Sequence, residues 1–222
     1  NTVDLIEWLH VGKVLVIGSS GGVFALFGSR NNATLTPFNF TIHRLTTFAT
    51  RAGTNAIQID QKVFFIQDGG KKLRMLDIST MEEDIASLDV TFKADNLAVA
   101  GIKEIAYQDR PFGVIWCRMD DGTLLSLTYN PNLEVPTLGW APHTITGVFG
   151  TKAHGQVDSL TVVSHLTRDI PFFLVTRTIA SGTKRYVEYL EKYYDSNETD
   201  AKYAVYVDSA VNDGGSATVT WN

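Results

Sequence analysis

Gly113–Tyr129 reads GVIWCRMDDGTLLSLTY. Two apolar runs flank Asp120-Asp121-Gly122, and an Asp-Gly step between such runs is a strong hairpin signal. Val114–Arg118 is β-branched and aromatic, and Thr123–Tyr129 is rich in Thr and Leu. Neither run shows a helical stripe of useful length.

The same plan occurs three more times. Val14–Leu26 has VLVIG, then Ser19-Ser20-Gly21-Gly22, then VFAL. Val63–Leu76 has VFFIQ, then Asp68-Gly69-Gly70, then KKLRML. Phe172–Leu190 has FFLVTRT, then Ala180-Ser181-Gly182, then TKRYVEYL. The last glycines of the turns, Gly22, Gly70, Gly122 and Gly182, are 48, 52 and 60 residues apart. A period near 50 with several strands per unit is the signature of propeller blades.

Apolar pairs precede each hairpin: Val3/Leu5, Ile57/Ile59, Ile102/Ile105 and Val157/Leu160. Further strand candidates lie between the hairpins at Phe38–Ile42, Leu88–Phe92 and His143–Val148. The expectation is an all-β, β-propeller-like fold of about four repeated antiparallel blades, each of three to four strands, with room to belong to a larger propeller. The units are placed at 1–36, 37–85, 86–140 and 141–208, with 211–222 an exit segment toward another domain. The competing reading is a β-sandwich with coincidentally similar hairpins.

The chain has 222 residues, 44% hydrophobic and 19% charged, which suits a folded chain and not a disordered one. Its net charge of -5 and scattered Lys and Arg offer no stripe to follow a phosphate backbone. The single cysteine, Cys117, sits in an alternating apolar strand and reads as a small hydrophobe. No apolar run reaches the 18 residues needed to cross a bilayer. The sequence opens at Asn1 directly on a strand-like unit, and reads as a piece of a longer polypeptide.

Two helix candidates appear. Ile78–Ser87 has a Ser79 or Thr80 cap and early acidic residues, but suits only a single turn. Lys184–Tyr194 has helical tyrosine spacing, and the hairpin repeat favours a strand through Leu190. Phe92–Val99 reads as a loop or short helix. Asn130–Pro136 reads as a turn, with Trp140 just ahead of a strand start. Tyr203–Val207 reads as a last strand, and Ala217–Trp221 alternates in a new register.

Enzyme-like strings are few. Gly18-Ser19-Ser20-Gly21-Gly22 satisfies G-x-S-x-G with Ser20 as nucleophile, yet that motif requires a helix after the serine. VFALFG follows here, so a glycine-rich hairpin turn is expected. Gly69-Gly70-Lys71-Lys72 lacks the spacing of a phosphate loop. Asp120-Asp121 and Glu82-Glu83-Asp84 lack the ligand alternation of a calcium loop. The five histidines, His10, His43, His143, His154 and His165, show no i, i+4 pair, and with one cysteine there is no zinc signature. Catalytic, metal and cofactor residues are therefore expected to be none. Trp8, Phe24, Phe65, Trp116, Tyr129 and Tyr189 recur near the hairpins and read as packing between blades.

Ile105-Ala-Tyr107-Gln108, Ile115-Trp116-Cys117 and Asp121–Asn130 (DGTLLSLTYN) resemble the tail tubular protein B, or nozzle, group of short-tailed bacteriophages. Gly21–Phe24, Val63–Gln67 with Gly70 and Leu73-Arg74, Arg185–Glu191 and Tyr206–Ser209 extend the resemblance over about Leu15 to Ser209. Val135–Trp140, with Pro136, departs from the family's pattern after T-Y-N. The resemblance implies a structural virion protein of the tail. It implies a homo-oligomeric ring in the full-length protein, neighbouring tail or portal-adaptor proteins as partners and transient non-specific passage of DNA; the lack of a long apolar run leads to the expectation of no membrane span. It implies no catalytic residues. The alternative function is a glycan-binding or glycan-cleaving β-propeller module, which would show a concave pocket lined by aromatics and carboxylates. A ring component would show flat, charge-complementary or apolar faces on both sides. The fragment alone is expected to be monomeric or weakly associating.

Overall fold

The computed structural model describes residues 4–12, 14–28, 35–79, 87–130, 137–180 and 182–191. Among the described residues, fifteen strands form four antiparallel sheets, each an up-and-down meander. The first holds β1 (Ile6–Val11), β2 (Leu15–Ser19), β3 (Gly22–Gly28) and β4 (Phe40–Thr46). The second holds β5 (Ile57–Ile59), β6 (Lys62–Ile66), β7 (Leu73–Asp77) and β8 (Leu88–Asp89). The third holds β9 (Ile102–Gln108), β10 (Val114–Met119), β11 (Leu124–Asn130) and β12 (Thr137–His143). The fourth holds β13 (Gln156–Ser164), β14 (Asp169–Ile179) and β15 (Gly182–Tyr189). The four hairpins seen in the sequence are β2–β3, β6–β7, β10–β11 and β14–β15, and each marker glycine lies in a turn or opens the strand after it.

The sheets stack in chain order, with one apolar layer between each consecutive pair. Trp8, Val16, Val23 and Leu45 of the first sheet meet Val63, Phe65 and Leu76 of the second. The other face of the second, with Phe64, Ile66 and Leu73, meets Ile105, Ile115, Leu127 and Tyr129 of the third. Val114, Trp116 and Leu124 on the far face of the third then meet Val157, Leu160, Phe173 and Val175. The interior sheets are apolar on both faces, so β6 and β10 read as continuous hydrophobic runs and not as alternation.

Hydrogen bonds stitch the array in a repeated way. In every sheet the central hairpin, through its turn in the first three sheets and through the end of β14 in the fourth, donates one backbone N–H to the segment leading into that sheet. The pairs are Ser20 to Leu5 O (2.9 Å), Asp68 to Ala49 O (2.9 Å), Asp120 to Gly101 O (2.8 Å) and Thr178 to Val148 O (2.6 Å). The first three hairpins also accept from the segment that leads into the next sheet. Thr50 N–H donates to Ser19 O (3.0 Å), Ile102 to Gly70 O (2.7 Å) and Val157 to Gly122 O (2.9 Å). Gly122 shows why glycine recurs there. Its φ is +84°, and a Cβ would lie 2.5 Å from Gln156 Cγ at the start of the next sheet.

The outer strands differ from the expected positions. The first runs Phe40–Thr46, not Phe38–Ile42, and Phe38 is 98% exposed. The third is Thr137–His143, where a turn and a lead-in had been expected, with the strand placed at His143–Val148. Pro142 lies within it opposite Leu125, which is tolerated because β12 is an edge strand whose outward N–H is not needed. The sheets thus extend past residues 36, 85 and 140, where the repeat spacing divides the chain. Val3 and the helix candidate's residues 80–86 lie outside the described residues, as do Glu82-Glu83-Asp84, Tyr203–Val207 and residues 211–222. Phe92–Ala94 forms a single 3-10 turn.

Candidate functional site

The serine of the G-x-S-x-G string sits in the β2–β3 hairpin, and β3 follows it directly. Ser20 Oγ accepts the backbone N–H of Leu5 at 2.9 Å, while Ser20 N–H donates to Leu5 O. Its neighbours explain the motif through packing. Gly18 lies under the indole of Trp8, where a Cβ would come within 2.0 Å of the ring. A Cβ on Gly21 would strike the Asp4 carboxylate at 2.2 Å. The string is a turn that admits the Trp8 indole and the Asp4 carboxylate.

The other flagged residues also have structural partners. Lys72 Nζ reaches Asp89 Oδ2 across β7–β8 at 2.6 Å. Asp121 Oδ1 accepts the N–H (3.0 Å) and hydroxyl (2.6 Å) of Thr123, an Asx turn that shapes the hairpin. Asp120 pairs with Arg51 at 2.8 Å. His10 Nε2 bonds Gln58 Oε1 at 2.8 Å, joining the first two sheets. His154 Nδ1 lies 2.8 Å from Gly155 O, and His43 packs edge-on against Phe27. The backbone N–H of His165 donates to Arg168 O at 2.9 Å. Among the described residues no group of three or more His, Cys, Asp or Glu could hold a metal. Cys117 is fully buried, and burial pushes its thiol pKa up.

The recurring aromatics divide. Trp8 meets Phe65 (6.2 Å), Tyr129 meets Phe64 (5.1 Å) and Trp116 meets Phe173 (5.9 Å), each across an intersheet layer. Phe24 and Tyr189 instead lie on the outward faces of the first and fourth sheets. Alternation sets them there: their neighbours Val23, Ala25 and Glu188 point the other way.

Two polar clusters were missed from sequence. The first is Ser126 with His143, whose Nε2 lies 2.7 Å from Ser126 Oγ. Ser126 stands opposite Ala141 and Leu124 opposite His143, so the pair is a diagonal contact fixed by register. Ser126 is 7% exposed, and the Trp116 ring lies 5.2 Å from the imidazole. The hydroxyl is thus packed against side chains of the third sheet.

The second cluster centres on Asp169, which is 5% exposed where the third sheet meets the fourth. Its carboxylate accepts the N–H groups of Asp109 (2.9 Å) and Arg110 (3.0 Å), the Ser164 hydroxyl (2.7 Å) and Arg110 Nη2 (3.0 Å). Burial pushes its pKa up, but the Ser164, Arg110 and Asp109 donors outweigh burial and hold it below the usual carboxylate range. Gln108 links this cluster inward, donating to Asp169 O at 3.0 Å and accepting from Trp116 Nε1 at 3.0 Å. Donor count and depth mark a structural clamp between sheets.

The largest unassigned feature is apolar. The face of the first sheet turned away from the second carries two cross-strand rows, Leu9–Ile17–Phe24 and Val11–Leu15–Leu26–Ile42. Leu9 is 58% exposed, Val11 80% and Ile42 52%. Comparison of the chain with protein-family models finds no match, and comparison with curated protein sequences finds none either.

Proposed function

We propose that this chain is a structural ring component of a phage tail, part of a nozzle or tubular channel through which DNA passes. The observation that supports this reading most directly is the apolar outward face of the first sheet. Its rows have the composition and register of faces that are buried elsewhere in the array, and exposed patches of this kind mark packing surfaces. The longest string that resembles the tail tubular group, Asp121–Asn130, falls on the β10–β11 hairpin, where Gly122 seats the next sheet. The polar clusters clamp one sheet to another. Together these features suit a wall element, built to be rigid and to pack against neighbours. In the full-length protein the contact is head-to-tail and closes by rotation. Its neighbours are other tail or portal-adaptor proteins, and its place is the virion tail.

Electron microscopy of the full-length polypeptide that contains this chain tests the proposal. Closed rings are expected, and Leu9→Asp with Val11→Asp is expected to abolish them while circular dichroism stays unchanged. A monodisperse monomer that binds glycans would overturn the reading in favour of a glycan module. Ester hydrolysis lost on Ser126→Ala or Ser20→Ala would overturn it in favour of an enzyme.

A further inference from the structure

We infer that the two end faces of the array pair with each other between copies of this chain. The outward face of the first sheet of one copy receives the outward face of the fourth sheet of another, head to tail. This names the partner surface for the head-to-tail contact of the proposed function, and it rests on that contact and not on the place in a tail. The first support is the order of the layers. Each of the three intersheet layers is built one way: the face that a sheet turns toward its successor lies on the face that the next sheet turns toward its predecessor. The first sheet is left with a face of the second kind and the fourth sheet with a face of the first kind. The two ends thus carry the two halves of one more layer.

The second support is what the faces carry. On the fourth sheet Ser159–Leu174–Val187, Thr161–Phe172–Tyr189 and Val163–Ile170 form cross-strand rows pointing away from the third sheet. Val187 is 74% exposed, Tyr189 55% and Val163 48%. These rows are uncharged, as are Leu9–Ile17–Phe24 and Val11–Leu15–Leu26–Ile42 on the first sheet. Charge enters at the margins: Arg44 stands beside Phe24 on β4, and Asp158 holds Thr176 and faces Arg185 toward the β14–β15 turn. Two apolar fields of this kind gain by excluding water from each other. Since both lie on one chain, a single kind of contact between copies covers both.

The third support is a backbone donor. Ala49 and Gly101 each accept an N–H from the hairpin of their own sheet, and the residue after each donates back to the preceding hairpin: Thr50 to Ser19 O and Ile102 to Gly70 O. On the first sheet Leu5 is the matching acceptor, and Ile6 follows it. Because Leu5 O takes the Ser20 N–H, the alternating ladder turns the Ile6 N–H away from β2, on a strand at the edge of its sheet. In the paired copies that N–H is presented to the β14–β15 hairpin of the preceding copy. The contact then belongs to the 222-residue chain itself, where the sequence alone leads to expecting a monomer or weak association.

Sedimentation velocity on the 222-residue chain tests the pairing by complementation. The unsubstituted chain is expected to associate progressively over roughly 1–300 µM. Val11→Asp spoils the first face and Val187→Asp the fourth. Each variant alone is expected to associate at least about tenfold more weakly, with circular dichroism unchanged. Mixed in equal amounts, they are expected to form a dimer that grows no further, through the intact fourth-sheet face of one and the intact first-sheet face of the other. An unsubstituted chain that stays monomeric would overturn the inference. So would a variant that still dimerises with itself, since like faces would then be paired. Thiol cross-linking checks the alignment, because Val11 and Val163 both lie on the first strand of their sheet, at the end away from the hairpin turn. Val11→Cys mixed with Val163→Cys is expected to be linked by a short bis-maleimide at least about tenfold faster than either alone. Cys117 is buried and does not compete. Equal rates would overturn the inference, and this arm decides should an aspartate variant fail to fold. Closed rings of the full-length polypeptide with no link between positions 11 and 163 would overturn the pairing and leave the tail reading standing. Linked chains whose full-length form makes no ring would uphold the pairing and remove the tail reading.

Discussion

Arg51 and Asp120 form an ion pair of 2.8 Å between the segment that enters the second sheet and the hairpin of the third. The same guanidinium donates to Ile102 O and lies over Gly70, while the Asp120 carboxylate lies over Gly101. One side-chain pair thus crosses two glycines that have no Cβ to block it. Arg51→Ala is expected to lower stability by about 1–2 kcal/mol through lost packing and bonding. The Arg51–Asp120 coupling in a double-mutant cycle is expected to stay under about 1 kcal/mol, because both side chains are partly solvated. A coupling several times larger, measured by urea unfolding, would show a pair shielded from solvent.

Gly122→Ala and Gly69→Ala separate backbone strain from collision. Both glycines have positive φ, +84° and +83°, and either alanine is expected to cost about 1–2 kcal/mol for that reason. Gly69 has open space around it, whereas Gly122 faces Gln156 at 2.5 Å. Gly122→Ala should therefore be the worse by a further 1–3 kcal/mol or so. Equal losses in thermal unfolding would mean that the seat at Gly122 is loose.

Asp169 predicts a pH dependence. Its folded pKa lies below the unfolded value near 3.8, so its contribution is complete above that value and is lost as pH falls through the folded pKa. Asp169→Asn is expected to cost about 2–3 kcal/mol at pH 7, with Arg110 losing its charged partner. The gap between wild type and Asp169→Asn should narrow below pH 3.8. Urea titrations at pH 7 and in strong acid check this, and a gap that widens in acid would contradict it.

Cys117 should resist thiol reagents in the folded protein and react fully once denaturant is added, since it is buried and its thiol pKa is pushed up. Cys117→Ser is expected to destabilise by about 1–3 kcal/mol, because it places a hydroxyl in an apolar layer. Cys117→Ala should cost less than the serine variant if polarity and not volume dominates. Paired labelling kinetics and unfolding curves give both answers.

The hairpins were legible because their turns obey local rules: Asp-Gly or Gly-Gly between β-branched runs leaves the chain little choice. β6 and β10 were legible as strands through composition, although two-sided burial had erased their alternation. The outer strands were not. β12 contains Pro142 and follows a proline-rich stretch, and local reading weighs those residues toward a loop. Its placement depends on the Leu125–Pro142 register and on Trp140 Nε1 reaching Val90 O at 2.9 Å, both long-range facts. The Ser126–His143 contact and the Asp169 clamp were invisible for the same reason. Their members lie 17 and about 60 residues apart, and no spacing rule links them. Phe24 and Tyr189 show the reverse: residue type announced burial, and position at the two ends of the array left them on outward faces.

The turn-to-segment bonds give the array a direction in time. Thr50 closes on Ser19, Ile102 on Gly70 and Val157 on Gly122, so each bond joins a later residue to an earlier turn. During synthesis from the N-terminus, every hairpin leaves the ribosome before the segment that must dock on it, and each new sheet meets a finished template. Growth by such backward capture covers the inward apolar face of each finished sheet with the sheet made next, which disfavours misassembly among like repeats.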